Sequence, residues 1–256
     1  MLRHFLRFGR QKADGRVGYS YVAKTDNGPM GHAQKGQIVR VEGKGPPWIV
    51  VDEAPTTAIL ARWPGRLWKV SIIDAASEKD QPRAYARYIR ALAVEVIDEQ
   101  DPAHLFGEHG AGVLTILDQA AQLTHETALK LSSARHPDAP AAYDRAFRRW
   151  AKIEGIKIGY DGSLDGTLRV GSKPHGSPIY EGLSVLHTVI FQRAKNIDGD
   201  AATTIDDEDE YLNEPWHGAG AVLADAALAM GAPRFVIGND RDILLCGLAD
   251  LADRHL

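Results

Sequence analysis

The chain of 256 residues reads as an α+β protein, with an N-terminal, mainly antiparallel sheet followed by a helix-rich C-terminal part. Three observations predict this. Short β-branched and aromatic runs separated by glycine and proline fill the first third, and long stretches with helical spacing follow Pro102. The two kinds of segment also fail to alternate as a doubly wound sheet requires. The organisation expected is a β-rich part over 1–100 and a helical part over 101–256, separate or integrated, with a small hairpin near 156–171.

Strands are expected at Val17 to Lys24, Gln37 to Glu42, Trp48 to Asp52 and Leu67 to Asp74, divided by turn clusters such as Asp26-Asn27-Gly28-Pro29 and Gly43-Lys44-Gly45-Pro46-Pro47. Alternation in the fourth puts Trp68, Val70 and Ile72 on one face and Leu67, Lys69, Ser71 and Ile73 on the other. Residues 80–100 carry two patterns. Asp80 and Pro82 resemble a helix start, and Tyr85, Tyr88, Ile89, Leu92 and Val96 follow helical spacing, whereas Ala91 to Asp98 alternates. A short helix followed by a strand is the expectation.

One helix is expected over Ala111 to Ser132, with Val113, Ile116, Leu117, Ala120, Leu123, Thr127 and Leu131 along a stripe, and another over Pro140 to Ile153. The hairpin pairs Ile156 to Tyr160 with Thr167 to Gly171 around a duplicated Asp-Gly turn. Ser177 and Pro178 open a helix whose Leu183, Leu186, His187 and Ile190 face inward. Ala219 to Met230 is an alanine-rich helix stopped by Gly231 and Pro233. Arg234 to Gly238 reads as a short strand, and Asn239 with Asp242 caps a last helix through Leu251.

Composition, 44% hydrophobic and 25% charged, excludes a disordered tail, a collagen-like repeat or a disulfide scaffold. The single cysteine, Cys246, lies in the apolar run Ile243 to Cys246 and is expected to be a small buried hydrophobe. No apolar run approaches the roughly 20 residues that span a bilayer, and the basic start of the chain has no apolar segment of the signal-peptide kind. The expectation is a soluble cytoplasmic protein with no membrane partner.

Charge is unevenly spread: residues 1–100 hold 16 Lys and Arg against 11 Asp and Glu, and the remainder 14 against 23. Arg3, Arg7, Arg10, Lys12 and Arg16 crowd the start, whereas Asp206-Asp207-Glu208-Asp209-Glu210 concentrates negative charge late. This acidic run reads as a solvated loop, or as a docking surface for a basic partner. Too few aromatics accompany the basic residues for a nucleic-acid module, so nucleic acid is disfavoured as partner.

The most specific internal signal is a near-repeat, His109-Gly110-Ala111-Gly112 and His217-Gly218-Ala219-Gly220, each opening an alanine-rich helix. Glycines there leave backbone N–H groups uncovered at a positive helix end, so a phosphate or nucleotide anion is a candidate ligand beside the simpler reading of close-packed helix starts. A lipase-type oxyanion turn shares the motif, but no serine has glycine on both sides at the required spacing. His104 and His109 are five apart and so point about 140° away from each other, not the zinc-helix spacing. No metal and no cofactor are expected. In the sheet, Arg40, Lys69 and Glu95 interrupt apolar runs and could converge beside Arg66 and His32 as an acid–base set; a wet face of alternating charges explains the same residues.

The segment Trp63-Pro64-Gly65-Arg66-Leu67-Trp68-Lys69-Val70, with the following Leu92-Ala93-Val94-Glu95-Val96, distantly resembles small ADP-ribosyltransferase domains in its hydrophobic pattern, over at most the first 100 residues. Within those residues the arginine or histidine of the first strand and the Glu-x-Glu pair by which that family handles NAD are not found, and no membership is assigned. With no complete catalytic motif, the chain is expected to act by binding a macromolecular partner, in the manner of a bacterial immunity or regulatory protein. The alternative is an enzyme on a nucleotide or phosphorylated substrate, such as a transferase of that kind.

Overall fold

A computed structural model describes residues 15–58, 60, 62–82, 87–153, 178–206 and 209–252. The chain is α+β, an N-terminal antiparallel sheet region followed by a helix-rich part. It divides into two compact units: residues of the range 15–54 with 66–100, and residues of the range 55–65 with those from 101 onward. The hairpin expected near 156–171 lies outside the described residues.

The first unit is built from β1 (Val17–Ala23), β2 (Ile38–Arg40), β3 (Ile49–Asp52), β4 (Gly65–Ala75) and β5 (Tyr88–Gln100). One edge of β5 pairs with β4 along nearly its whole length. The other edge pairs first with β3, Ile49 opposite Ala91, and then with β2, Val39 opposite Val94. Because β1 joins β3 to β4, the ring of pairings closes into a small barrel, which leaves fewer open strand edges than a flat sheet. The interior is filled by Val22, Val39, Val51, Trp68, Val70, Ile72, Val94 and Val96. Trp68, Val70 and Ile72 are the face the alternation marked as apolar.

In residues 80–100 the strand expected from Ala91 to Asp98 is present but begins earlier, so Tyr88 and Ile89 are strand and not helix; residues 83–86 lie outside the described residues. Strand β5 starts at Tyr88, and the only helical feature described beside it is a 3-10 turn at Glu78–Asp80. The physical reason is a side chain acting as a strand. Gln81 Nε2 donates to the carbonyls of Ala76 and Arg90, and Gln81 Oε1 accepts from the Arg90 N–H, which commits Arg90 to extended geometry. Register shifts against β4 between Ile72 and Asp74 then let both Ala93 and Val94 turn inward, which breaks the alternation and left the pattern ambiguous.

The second unit contains α1 (Gly110–Gln122), α2 (His125–Ala134), α3 (Ala139–Ile153), α4 (Pro178–Asp198), α5 (Trp216–Gly231) and α6 (Asp240–Ala252). Helix α5 packs against α1, α2, α4 and α6 and is buried on nearly every side, as its run of alanine, glycine, valine and leucine demands. Its one buried charge, Asp225, is met by Arg135, whose Nε lies 2.9 Å from Asp225 Oδ2. Burial raises the Asp225 carboxyl above its ordinary value, and the guanidinium opposes that shift. Asp240, at the start of α6, is clasped by Arg145 and Arg149 of α3, and Arg149 also donates to the Phe235 carbonyl.

Several expectations are corrected here. The single helix over Ala111 to Ser132 is two helices. Thr124 starts a new one by accepting from the Thr127 N–H while Thr127 Oγ1 accepts from the Thr124 N–H, and Arg193 Nε donates to the Leu123 carbonyl. Arg234 to Gly238 is no strand; Pro233–Phe235 is a 3-10 turn that buries Phe235 and Val236 among α3 and α6 residues. The acidic stretch is not a plain loop, for β6 (Thr203–Asp206) and β7 (Asp209–Leu212) pair as a hairpin between α4 and α5. His187 is exposed beside Phe191, because the buried stripe of α4 runs through Val185, Leu186, Val189, Ile190 and Ala194. Cys246 is half-buried. Among the described residues no helix is long and apolar enough to cross a membrane.

Close packing of α1 and α5 rests on glycine. A Cβ at Gly112 would lie 2.9 Å from Met230 Cβ, and one at Gly231 would lie 2.6 Å from Val113 Cγ2. At Gly110 it would meet the Ala103 carbonyl oxygen at 1.8 Å, a backbone atom, whereas at Gly220 the nearest atom is Ile190 Cδ1 at 3.6 Å, an ordinary contact. Gly110→Ala is therefore expected to lower stability by about 1–3 kcal/mol through overpacking. Gly220→Ala should be neutral or stabilising, since alanine is the better helix former by roughly 0.8–1.0 kcal/mol. Urea unfolding of both variants beside the parent measures the contrast.

Candidate functional site

Two of the residues singled out in the barrel unit, Arg66 and Lys69, stand beside carboxylates of β5. Arg66 donates twice to Glu99, at 2.8 Å from Nε and 2.6 Å from Nη2, and lies over the Trp68 ring. Lys69 is in register with Asp98, which also takes Lys35 Nζ at 3.0 Å. The hydrogen bond and charge of Lys35, and more weakly the charge of Lys69, hold the Asp98 carboxyl below the usual carboxylate range. Glu95 stands opposite Ile38 on β2 and Ser71 on β4, and Arg40 opposite Ala93. His32 is exposed between β1 and β2. The structure thus brings Lys69 to Asp98 and Arg66 to Glu99, and leaves Arg40, Glu95 and His32 at separate positions.

The twin His-Gly-Ala-Gly segments take different places in their helices. His109 caps α1 and its carbonyl accepts from the Gly112 N–H, while the Gly110 N–H donates to Gly107. In α5 the helix begins earlier, at Trp216, so His217 and Gly218 lie within the first turn. There the Gly218 N–H faces a carboxylate of the chain itself, Glu214 Oε2 at 3.3 Å, and the same oxygen accepts from Ser132 Oγ at 2.8 Å. A side chain at Gly218 would collide with Ser132. Gly220 packs loosely beside Ile190.

The densest polar arrangement in the helical unit gathers where the start of α2, the end of α4 and the start of α5 meet. Trp216 is wholly buried, and its Nε1 donates to Asp198 Oδ2 at 2.7 Å. The same oxygen lies 2.6 Å from His125 Nδ1, and the imidazole meets the Trp216 ring edge-on. These donors, Trp216 before His125, hold the Asp198 carboxyl below the usual range. One residue past Trp216, His217 Nδ1 is 3.3 Å from Glu214 Oε1. Glu214 too is held low, by Ser132 first and then His217. Each imidazole is tied through Nδ1, and the side chains are 56% exposed at His125 and 71% at His217.

The hairpin rises beside this cluster. Its base is closed by Asn213, whose side chain accepts from Thr204 Oγ1 and donates to the Ala201 carbonyl. Lys195 on α4 reaches Glu210 at 2.5 Å, and Thr203 Oγ1 donates to the same carboxylate. The register sets Ile205 opposite Glu210 and Thr204 opposite Tyr211, so Ile205 and Tyr211 lie on opposite faces, and both are exposed. Asp206 faces Asp209 directly, a like-charge pair that opposes the hairpin's own formation. Six large apolar side chains stand exposed among the described residues of this unit, and four of them, Leu129, Ile197, Ile205 and Tyr211, are on α2, α4 and the hairpin, the elements that build this corner. Of its polar residues the sequence singles out His217 and the acidic segment, which opens with Asp198; His125, Ser132 and Glu214 it does not. Among the described residues no group of three or more His, Cys, Asp or Glu is arranged to hold a metal ion.

Removing the carboxylate at the centre should cost more than removing an exposed imidazole. Asp198→Ala leaves the buried Trp216 N–H without its acceptor and is expected to lower stability by about 1–3 kcal/mol. His217→Gln, on the surface, should change it by under about 0.5 kcal/mol. Denaturant unfolding followed by tryptophan fluorescence distinguishes the two.

No family model matches the chain, and neither the curated proteins nor the solved structures contain a match to it.

Proposed function

We propose that the protein acts by binding a macromolecular partner, and that the partner is a protein presenting a basic surface with apolar side chains among its charges. The observation that carries this reading is the corner formed by the hairpin and the ends of α2, α4 and α5, which combines surplus carboxylates with exposed Leu129, Ile197, Ile205 and Tyr211. Lys195 answers Glu210, but Asp206 and Asp209 oppose one another across the strand pair. A cationic partner relieves that repulsion, whereas a second copy of the same acidic hairpin would add to it. A two-stranded hairpin is marginally stable alone in water, and a partner seated on one face, over Ile205 or over Tyr211, supplies burial it lacks. A regulator-like role in the cytoplasm suits this mode of action, and the single cysteine agrees with a reducing compartment.

The test uses a short alternating lysine–leucine peptide as probe, with binding read by fluorescence anisotropy. Asp206→Asn with Asp209→Asn removes a repulsion, so the fold should hold while affinity falls about fivefold or more and its salt dependence flattens. Ile205→Ser with Tyr211→Ser should weaken binding at high salt as well. Equal affinity of parent and variants would refute the reading, as would a gain in thermal stability with nucleotides, NAD or sugar phosphates and none with the peptide, which would favour an enzyme on those substrates.

A further inference from the structure

We infer that docking at this corner is regulated by pH through His125 and His217, an inference that rests on the proposed partner reading. Each imidazole already sits at a carboxylate, His125 at Asp198 and His217 at Glu214, so protonation converts two hydrogen bonds into ion pairs without rebuilding the surface. Histidine is the side chain that changes charge between about pH 5 and 8. The carboxylates do not change there. Asp198 is held low by Trp216 and His125, Glu210 by Lys195 and Thr203, and Glu214 by Ser132 and His217. The field of the corner is therefore set by whether its two histidines carry a proton.

The surrounding charges come from the helices packed there, and on α1 the one charged residue is Asp118, which is exposed. On α2, Glu126 is paired with Lys130. On α4, Lys195 serves Glu210 and Asp200, and Arg193 donates to the Leu123 carbonyl. On α5, the next charge along the helix is Asp225, paired with Arg135 at the C-terminal end of α2, three residues past Ser132. Helix α6 meets α2 at the same end, where Gly247 approaches the Ala134 carbonyl, and its Asp240 is bound by Arg145 and Arg149. The lysines and arginines hold their charge across this pH range. With the histidines neutral, carboxylates at Asp198, Asp206, Asp209 and Glu214 face no lysine or arginine in an ion pair among the described residues; with both protonated, Asp198 and Glu214 are neutralised, and the attraction for a cationic partner falls.

The sign follows directly. Binding of a basic partner is strong near pH 8 and weakens as pH falls toward 5, the reverse of what protonation of the partner's own lysines could cause. The experiment measures affinity for the same lysine–leucine peptide at steps between about pH 5.5 and 8. The parent should lose about three- to tenfold across that span. His125→Gln with His217→Gln should bind at every pH as the parent does near pH 8, and His217→Gln alone, whose exposed position spares the fold, should remove about half of the slope. His187→Gln, exposed but on the middle of α4, should keep the full slope. A flat parent profile with strong binding would overturn the regulation and leave the docking reading standing. A double variant with the parent's slope, or a His187 variant as flat as the double one, would also overturn the regulation, assigning any pH effect to overall charge. No binding at any pH would overturn docking and regulation together.

Discussion

The helical unit depends on one constraint, that α5 must be buried almost all round. A helix in that position can present only small or apolar side chains to four neighbours, and the composition of Trp216–Gly231 obeys this closely. Glycines set the approach distances: Gly112 and Gly231 bring α1 close, Gly218 admits Ser132 of α2, and Gly247 of α6 lies against Val222. The one ionised exception, Asp225, is tolerable because Arg135 accompanies it; a lone buried charge would cost several kcal/mol. With α5 fixed, its first turn is fixed too, and Trp216 then pins Asp198 and, through it, His125.

That anchoring explains why an acidic hairpin can be ordered in so unfavourable a setting. Asp206 against Asp209 opposes pairing, and neither face of the strands is covered. The compensation comes from the base, where Asn213 closes the loop end and Lys195 and Thr203 hold Glu210. Local forces are satisfied at the root, while charge and apolar surface remain uncompensated above it. This imbalance within one element is what distinguishes the corner from the barrel face, where Arg66 with Glu99 and Lys35 with Asp98 settle their charges internally.

The sequence was most legible where neighbours along the chain decide the outcome. Strand positions in β1, β3 and β4, and helices α3 and α5, follow from alternation and helical spacing, and the α+β order follows from their sequence. It was least legible where partners are distant. The barrel closes because β5 is shared among β2, β3 and β4, which no local pattern encodes. The register shift that buries both Ala93 and Val94 breaks the alternation there, so Tyr88 to Val96 also fits helical spacing. The break after Leu123 was readable in Thr124 and Thr127 as a capping pair, but the continuous apolar stripe masked it. His187 was misplaced because one position on a helix turns a side chain by about 100°. The corner joins His125 to Asp198 across 73 residues and Ser132 to Glu214 across 82, so periodicity had no means of finding it. What could have pointed there was the acidic run, had its flanking Thr-Thr-Ile and Glu-Tyr-Leu been read as paired strands.

The central claim is that α5 is the rigid interior and that the hairpin with the ends of α2 and α4 is the surface kept open for a partner. Amide hydrogen exchange followed by mass spectrometry, with and without the lysine–leucine peptide, tests both halves at once. In the free protein α5 should exchange only with global unfolding, and Thr203–Asp206 with Asp209–Leu212 should exchange fastest among the paired segments of the helical unit. Added peptide should slow exchange in the hairpin and the first turn of α2 and leave the barrel strands unchanged. Protection gained on the barrel instead, or α5 exchanging as readily as the hairpin, would contradict the account.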